Sequence, residues 1–199
     1  MFLIAILFTI KGVSQIVIPP SFKKAVAFIF ALNDSGVIVP YGTGFYVSVN
    51  QNENKSAGYI VTAKHVLKNQ SGSYLDKIFV RLSQISDSAL VIIPITLHAS
   101  GTAKNIYTHF DTTVDIAVIS ETPRQDKFDY IFLPSTFITT RKDFDLLNIK
   151  EGDEVFFTGM FTQYLGEKAN YPITRFGKVS LVTNEKVLWN GNYRNLYLL

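Results

Sequence analysis

Short runs of β-branched and aromatic residues, separated by turn-forming residues, constrain the fold of this chain more than any other feature. Residues 25–32 form such a run, and the turn sequence Asn33-Asp34-Ser35-Gly36 that follows it predicts a hairpin. Further strands are predicted at 44–49, 58–62, 77–82, 89–97 and 116–119. Helical periodicity does not persist beyond about two turns, and residues 64–68 are the best helix candidate. The pattern therefore predicts an all-β protein.

The strand pattern is interrupted once and then resumes. Residues 121–150 contain Pro123, Pro134 and several charged side chains, so we interpret them as a connection between two units. Strands are predicted again at 154–158, 175–182, 186–189 and 194–199. Many short strands with regular turns are typical of a sandwich or a barrel. We therefore expect two successive all-β units, residues 22–120 and residues 151–199, each a sandwich or a barrel.

Composition and charge exclude several classes of protein. Hydrophobic residues make up 47% of the chain, and 16 Phe with 10 Tyr can fill a core, which excludes a disordered chain. The chain has no cysteine, which excludes a disulfide scaffold, a thiolate metal site and a cysteine nucleophile. The net charge of +3 comes from scattered basic residues, so we expect a solvated surface and no nucleic-acid partner. The histidines and carboxylates show no metal-ligand spacing, and no cofactor is implied.

The first residues form an apolar run, 2–10, that ends at Lys11. The run is too short to span a bilayer, which takes about 20 residues in a helix, so we expect no membrane span. It matches the apolar region of a secretory signal, with Gly12-Val13-Ser14 as a cleavage site. This interpretation makes residues 1–14 a signal peptide and the protein secreted or periplasmic. However, no basic residue precedes the run, so a buried first strand and a cytoplasmic location are the alternative.

Three short segments of the first unit carry residues suited to chemistry. They are Gly42-Thr43-Gly44-Phe45, Thr62-Ala63-Lys64-His65 and Asp115-Ile116-Ala117. Glycine at the first segment permits a tight bend or the close approach of another segment. A turn after the second strand can hold an imidazole at the edge of a barrel, and an aspartate at the start of an apolar strand needs a hydrogen-bond partner. The alternatives are an ordinary surface or core histidine and an aspartate bonded to its own backbone.

With two later segments, this order of motifs resembles the trypsin-like serine proteases of the chymotrypsin fold, in their bacterial, disulfide-free form. The two later segments are Gly152-Asp153-Glu154-Val155 and Gly177-Lys178-Val179-Ser180. The resemblance runs from about residue 25 to residue 199. It implies two tandem antiparallel β-barrels, a protein or peptide substrate, and hydrolysis of peptide bonds. It says nothing of the oligomeric state.

The resemblance also implies roles for two residues. His65 corresponds to the general base that takes the proton of a serine, and Asp115 to the carboxylate that orients the histidine. We expect their side chains to lie within hydrogen-bond reach, facing a cleft between the two units. Lys64 replaces a small residue common before the histidine, and its charge is expected to act on the substrate or on the histidine. Val66 replaces the cysteine of the animal enzymes, as expected for a chain without disulfides.

The third member of the triad, a serine within G-x-S-G, is missing from the 199 residues. Ser120, Ser135 and Ser180 are the serines that follow Asp115, and none has the required glycines. Ser35 lies in Asp-Ser-Gly but precedes the histidine and fits a hairpin turn. The second unit, with 49 residues after Lys150, also falls short of six strands. We expect this chain to be a truncated, inactive form of the enzyme; the alternative is a non-catalytic binding module, a pseudoprotease.

Overall fold

A computed structural model describes residues 5–6, 18–52, 55–99, 102–103, 105–183, 185–189, 192–194 and 197–198. Within these residues the regular secondary structure is mostly β-strand, which confirms the all-β prediction. In chain order, the strands up to the end of the connection are β1 (Ala5–Ile6), β2 (Val26–Leu32), β3 (Ile38–Asn52), β4 (Lys55–Thr62), β5 (Lys77–Ser83), β6 (Leu90–Thr96), β7 (His98–Ala99), β8 (Thr102–Ala103), β9 (Ile106–Thr108), β10 (Ala117–Ile119) and β11 (Leu133–Pro134). Those that follow are β12 (Glu154–Gly159), β13 (Ile173–Lys178), β14 (Leu181–Val182), β15 (Val187–Trp189), β16 (Asn192–Arg194) and β17 (Tyr197–Leu198).

Helical structure in the described part of the chain is short. It consists of the helices α1 (Ser21–Lys24) and α2 (Arg141–Leu146) and the 3₁₀ helices Lys64–Leu67 and Ser135–Phe137. The 3₁₀ helix at Lys64 confirms the helix candidate of the sequence. The connection contains α2, which the sequence did not predict. It is capped by Thr140 and Asp143, each of which bonds to the backbone of the other.

The first strands form one large sheet in the order β6-β5-β2-β3-β4-β10-β9, in which all these neighbours are antiparallel. The strand predicted at 44–49 is part of the longer strand β3. The sequence missed its first half because proline and glycine interrupt the pattern there. Pro40 is tolerated because the register of the β2–β3 pairing shifts at this point, which leaves Tyr41 as an extra residue in a bulge.

This sheet curls around a single core but is not closed by a ladder in the described part of the chain. The largest buried side chains come from strands across the whole sheet and pack in one cluster, among them Ile29, Ile60, Ile78 and Ile95. The terminal strands β6 and β9 share no ladder of backbone bonds within the described residues. Their ends are instead linked by a side chain, since Asn105 Nδ2 donates to Thr96 O at 2.8 Å. All-β architecture is thus observed, whereas the closed tandem barrels remain a prediction.

The later strands form smaller sheets, β1-β12-β13, β14-β17 and β15-β16. The single strand predicted at 175–182 is divided, because β13 ends at Lys178 and β14 begins at Leu181. Ile149, Val155 and Val179 form a separate buried cluster beneath these sheets. The second unit therefore has its own small core, distinct from the one inside the large sheet.

Arg81 on β5 joins the two units. Its guanidinium donates to the carbonyl oxygens of Leu165 and Gly166, in the loop between β12 and β13. In return, Asn170 Nδ2 donates to Arg81 O at 2.7 Å. Leu165 and Met160 also pack against a second buried cluster of the sheet, formed by Phe28, Phe30 and Phe79. Burial beneath this loop lowers the pKa of the Arg81 guanidinium.

The N-terminal prediction is only partly described. Ala5–Ile6 forms a strand that pairs antiparallel with β12, Ala5 opposite Phe157. The strand alternative is consistent with this pairing, while the cleavage site at residues 12–14 lies outside the described residues. The signal peptide and the export of the protein stay predictions. In the described part of the chain, no helix is long and apolar enough to cross a membrane.

Candidate functional site: a histidine–aspartate pair at the sheet edge

Antiparallel pairing of β4 with β10 brings the two predicted site residues together. Thr62 lies opposite Ala117 in the register of these strands. Continuing the antiparallel register by two residues places Asp115 opposite Lys64, next to His65. The backbone keeps to this register beyond the strands, since Lys64 N donates to Asp115 O at 3.2 Å. The β4–β10 pairing and this bond beyond it therefore bring together two residues that are 50 positions apart in the sequence.

The two side chains are joined by paired bonds. His65 Nδ1 lies 2.6 Å from Asp115 Oδ2, and the backbone N–H of His65 donates to Asp115 Oδ1 at 2.9 Å. Both carboxylate oxygens are thus engaged by the same residue, which fixes the rotation of the carboxylate. The Asp115 side chain is 21% exposed and that of His65 56% exposed. The expected hydrogen bond between the two is present, with the aspartate on the protein side and the imidazole on the solvent side.

The turn that carries His65 is held by the residues that follow it. Val66 and Leu67 are buried in the main core, so the imidazole between Lys64 and Val66 projects outward. Val66 packs directly on Gly42 of β3. A Cβ at Gly42 would lie 2.5 Å from Val66 Cγ1, closer than real Cβ contacts. The first glycine of the Gly-Thr-Gly segment is therefore required by close approach, as the sequence predicted.

Two threonine hydroxyls continue the site towards the second unit. Thr62 is almost fully buried, and its Oγ1 donates to Thr43 O at 2.9 Å. Thr43 Oγ1 in turn accepts a hydrogen bond from the backbone N–H of Met160 at 3.0 Å. Met160 follows β12 directly. The strand that leads to His65 is thus linked, through Thr43, to the residue that follows β12 in the second unit.

Lys64 has a position that the sequence did not predict. Its ammonium donates to Thr112 O at 2.7 Å and to Val114 O at 2.9 Å. The side chain is half-buried and lies along the segment that leads to Asp115. Through these two bonds, the charged ammonium of Lys64 binds backbone carbonyl groups of the protein. No sequence signal could have revealed this contact, because every residue carries a carbonyl.

The two later motifs contact each other within the second unit. Gly152 N donates to Val179 O at 2.7 Å, and Val179 N donates to Asp153 O at 2.9 Å. Val155 lies opposite Gly177 in the β12–β13 register. Gly152 has a φ of 95°, a conformation that favours glycine. These motifs therefore contribute to the local core of the second unit.

The serines considered as nucleophiles occupy structural positions. Ser35 lies in the hairpin turn between β2 and β3, where its N–H donates to Asn33 Oδ1 at 3.0 Å. This turn precedes Ile38, the first residue of β3. Ile38 itself lies four residues, or about 13 Å along the strand, from Gly42, which Val66 of the histidine turn contacts. Ser180 Oγ donates to Lys178 O at 3.3 Å. Ser120 and Ser135 begin a loop and a 3₁₀ helix, respectively. Ser35 thus occupies the predicted turn.

An apolar cavity lies between β2, β3 and β12, and it does not include the histidine–aspartate pair. Phe22, Val26, Phe45 and Phe156 are among the residues that line it, and it has a volume of about 30 Å³. The predicted cleft facing His65 stays a prediction. Among the described residues, no group of three His, Asp or Glu side chains could hold a metal ion.

Comparison with known proteins adds no family to these observations. Neither a protein-family model nor a curated protein sequence matches the chain. The geometry of the histidine–aspartate pair and the order of the motifs are therefore the observations on which a function can be argued.

Proposed function

We propose that this chain carries the histidine and aspartate of a serine endopeptidase of the trypsin-like type. The observation that carries the proposal is the pairing of His65 Nδ1 with Asp115 Oδ2 at 2.6 Å, while Asp115 Oδ1 accepts the backbone N–H of His65. A carboxylate on Nδ1 is the arrangement that prepares the other ring nitrogen to act as a base. The proposed substrate is a protein or peptide, and we propose that the enzyme is secreted or periplasmic.

The role of each residue follows from the pair. Asp115 holds a proton on Nδ1 of His65, so that Nε2 keeps the lone pair that accepts the proton of a serine hydroxyl. When the imidazole becomes charged, the carboxylate stabilises it across the same hydrogen bond. The imidazolium then returns the proton to the leaving amine of the cleaved peptide.

The fold supports the same proposal. The main sheet places the strand that leads to His65 beside the strand that follows Asp115, and both lie over one core. The later motifs build a second core in a separate set of strands. In the proposal, each unit is a β-barrel of the chymotrypsin type, and the catalytic site lies between them.

The proposal needs a nucleophile that the 199 residues do not supply in the expected motif. In a complete enzyme, a serine within G-x-S-G would follow the second unit, and its loop would provide the N–H groups of an oxyanion hole. The 199-residue chain is then expected to lack triad-dependent hydrolysis, while retaining the fold and the pair.

The first test is to read the open reading frame after the codon of Leu199 and express the whole protein that it encodes. The proposal expects G-x-S-G within about forty codons and labelling of that serine by a fluorophosphonate probe. His65→Ala and Asp115→Asn should each reduce the labelling rate, the latter by roughly 10⁴-fold. His98→Gln serves as the matched histidine control and should label normally. Undiminished labelling of His65→Ala would refute the role of His65 as base.

A non-catalytic binding module is the second candidate. The observation that favours it is the lack of a G-x-S-G motif among the 199 residues. A pseudoprotease would complete its second unit with another residue in place of the serine. A reading frame that finishes the second barrel without the serine, together with no probe labelling, would support this candidate and exclude the enzyme.

A further inference from the structure

We propose that Lys64 is a positioning residue that holds Asp115 in place against His65. The proposal deepens the proposed function, because a positioned pair has catalytic meaning only if His65 acts as a base. The relation between the three residues can nevertheless be measured without any hydrolysis.

The evidence is a set of bonds between two short segments that are far apart in sequence. Lys64 donates through its ammonium to Thr112 O and Val114 O, at 2.7 and 2.9 Å, and through its N–H to Asp115 O at 3.2 Å. His65 adds its own two contacts to the Asp115 carboxylate. Lys64 and His65 together thus bind three of the four residues 112–115, the exception being Thr113.

The position of these bonds gives them their effect. Asp115 lies two residues before β10 begins, so the sheet alone does not hold it. The preceding turn is organised locally, because Asp111 Oδ1 accepts bonds from Thr113 N and Thr113 Oγ1. The Lys64 ammonium donates to the carbonyls on both sides of Thr113 and so connects this turn to the turn that carries His65. Bonds from a charged donor are stronger than neutral ones, so they resist loosening of the segment.

A purely electrostatic role for Lys64 predicts a different result. In that case its charge would act on the imidazole through space, and the geometry of the pair would not depend on the two carbonyl contacts. Removal of a positive charge alone lowers the local hydroxide concentration, which slows base-catalysed exchange of a ring proton. Loss of positioning has the opposite effect, because a loosened hydrogen bond exposes the Nδ1 proton to water.

The test compares imidazole ¹⁵N signals and Nδ1–H exchange of His65 in ¹⁵N-labelled samples of the 199-residue chain. In Lys64→Met, the neutral ring should change from the Nδ1–H tautomer to a mixture, with exchange of the Nδ1 proton at least tenfold faster. Lys64→Arg keeps donors for both carbonyls and should restore slow exchange. Lys68→Met is the matched control, because the Lys68 ammonium lies 5.0 Å from the Tyr74 ring centroid. It should leave the His65 signals unchanged.

Unchanged tautomer and exchange in Lys64→Met would overturn the proposal, and so would slower exchange. If Lys64→Met does not fold, Lys64→Gln is the second variant, since its amide retains donors for one carbonyl. It should show exchange faster than wild type, and wild-type exchange there would equally overturn the proposal. Failure of the proposed function is detected separately. If the probe labels no serine in the whole protein, the proposed function fails, whereas the His65 signals of the 199-residue chain still report on Lys64.

Discussion

Substitution of Gly42 by alanine tests how closely the histidine turn is packed on the sheet. The new Cβ would lie 2.5 and 2.8 Å from the two γ-carbons of Val66, where carbon atoms normally stay about 3.5–4.0 Å apart. Val66 is buried and β-branched, so it cannot swing aside and must move together with its backbone. Overpacking of this kind costs about 1–3 kcal/mol, while replacing glycine returns about 0.4–1 kcal/mol. We expect a net loss of about 1–2 kcal/mol in the free energy of unfolding.

For a chain of this size, such a loss lowers the Tm by roughly 2–8 °C, measurable by calorimetry or circular dichroism. Gly177→Ala is the matched control within a strand, because its Cβ would meet Val155 Cγ2 at an ordinary 3.8 Å. The Tm of this control should stay the same or rise. Val66→Ala removes two methyl groups at about 0.8 kcal/mol each. In the double variant Gly42→Ala/Val66→Ala, the loss should be smaller than the sum of the single losses by at least about 0.5 kcal/mol. Additive losses, or a Tm of Gly42→Ala equal to that of Gly177→Ala, would refute the argument from packing.

Two further predictions concern a buried phenol pair and a helix cap. The Tyr46 hydroxyl is buried with no hydrogen-bond partner in the described part of the chain, whereas the Tyr130 hydroxyl donates to a backbone carbonyl. Denaturant unfolding should therefore show Tyr46→Phe at least as stable as wild type and Tyr130→Phe less stable by about 1 kcal/mol; the reverse order would contradict this assignment. The Thr140 hydroxyl, followed by the Thr140 backbone N–H, lowers the pKa of Asp143, so its ionised form stabilises α2 above the unfolded pKa of about 3.9. That contribution is lost as the pH falls through the lower folded pKa. The protection factors of the α2 amides, which compare the observed exchange with the intrinsic exchange at the same pH, should thus fall on acidification in wild type and depend less on pH in Asp143→Asn, and equal pH profiles would argue against the cap.

Much of the local structure was predictable because its causes are local. The hairpin at Asn33, the strands of the main sheet and the turn before Val66 all follow from side-chain alternation and turn chemistry. The first half of β3 was missed because Pro40 and Gly42 disfavour a strand locally, and the bulge that accommodates the proline forms only against β2. In the connection, α2 was missed because it has too few apolar residues to show a helical periodicity. The Thr140–Asp143 capping pair stabilises the helix instead.

The sequence by itself determined that the chain is built of β-strands and that His65 and Asp115 lie at the ends of two of them. It could do so because alternation, glycine and proline act on the residues next to them. The tertiary structure decided that these strands are neighbours, that the Lys64 ammonium binds the carbonyls before the aspartate, and that Arg81 binds those of the later loop. Carbonyl oxygens are present at every residue, so a bond to one leaves no pattern in the sequence. Only the path of the folded backbone selects which of them a charged side chain meets.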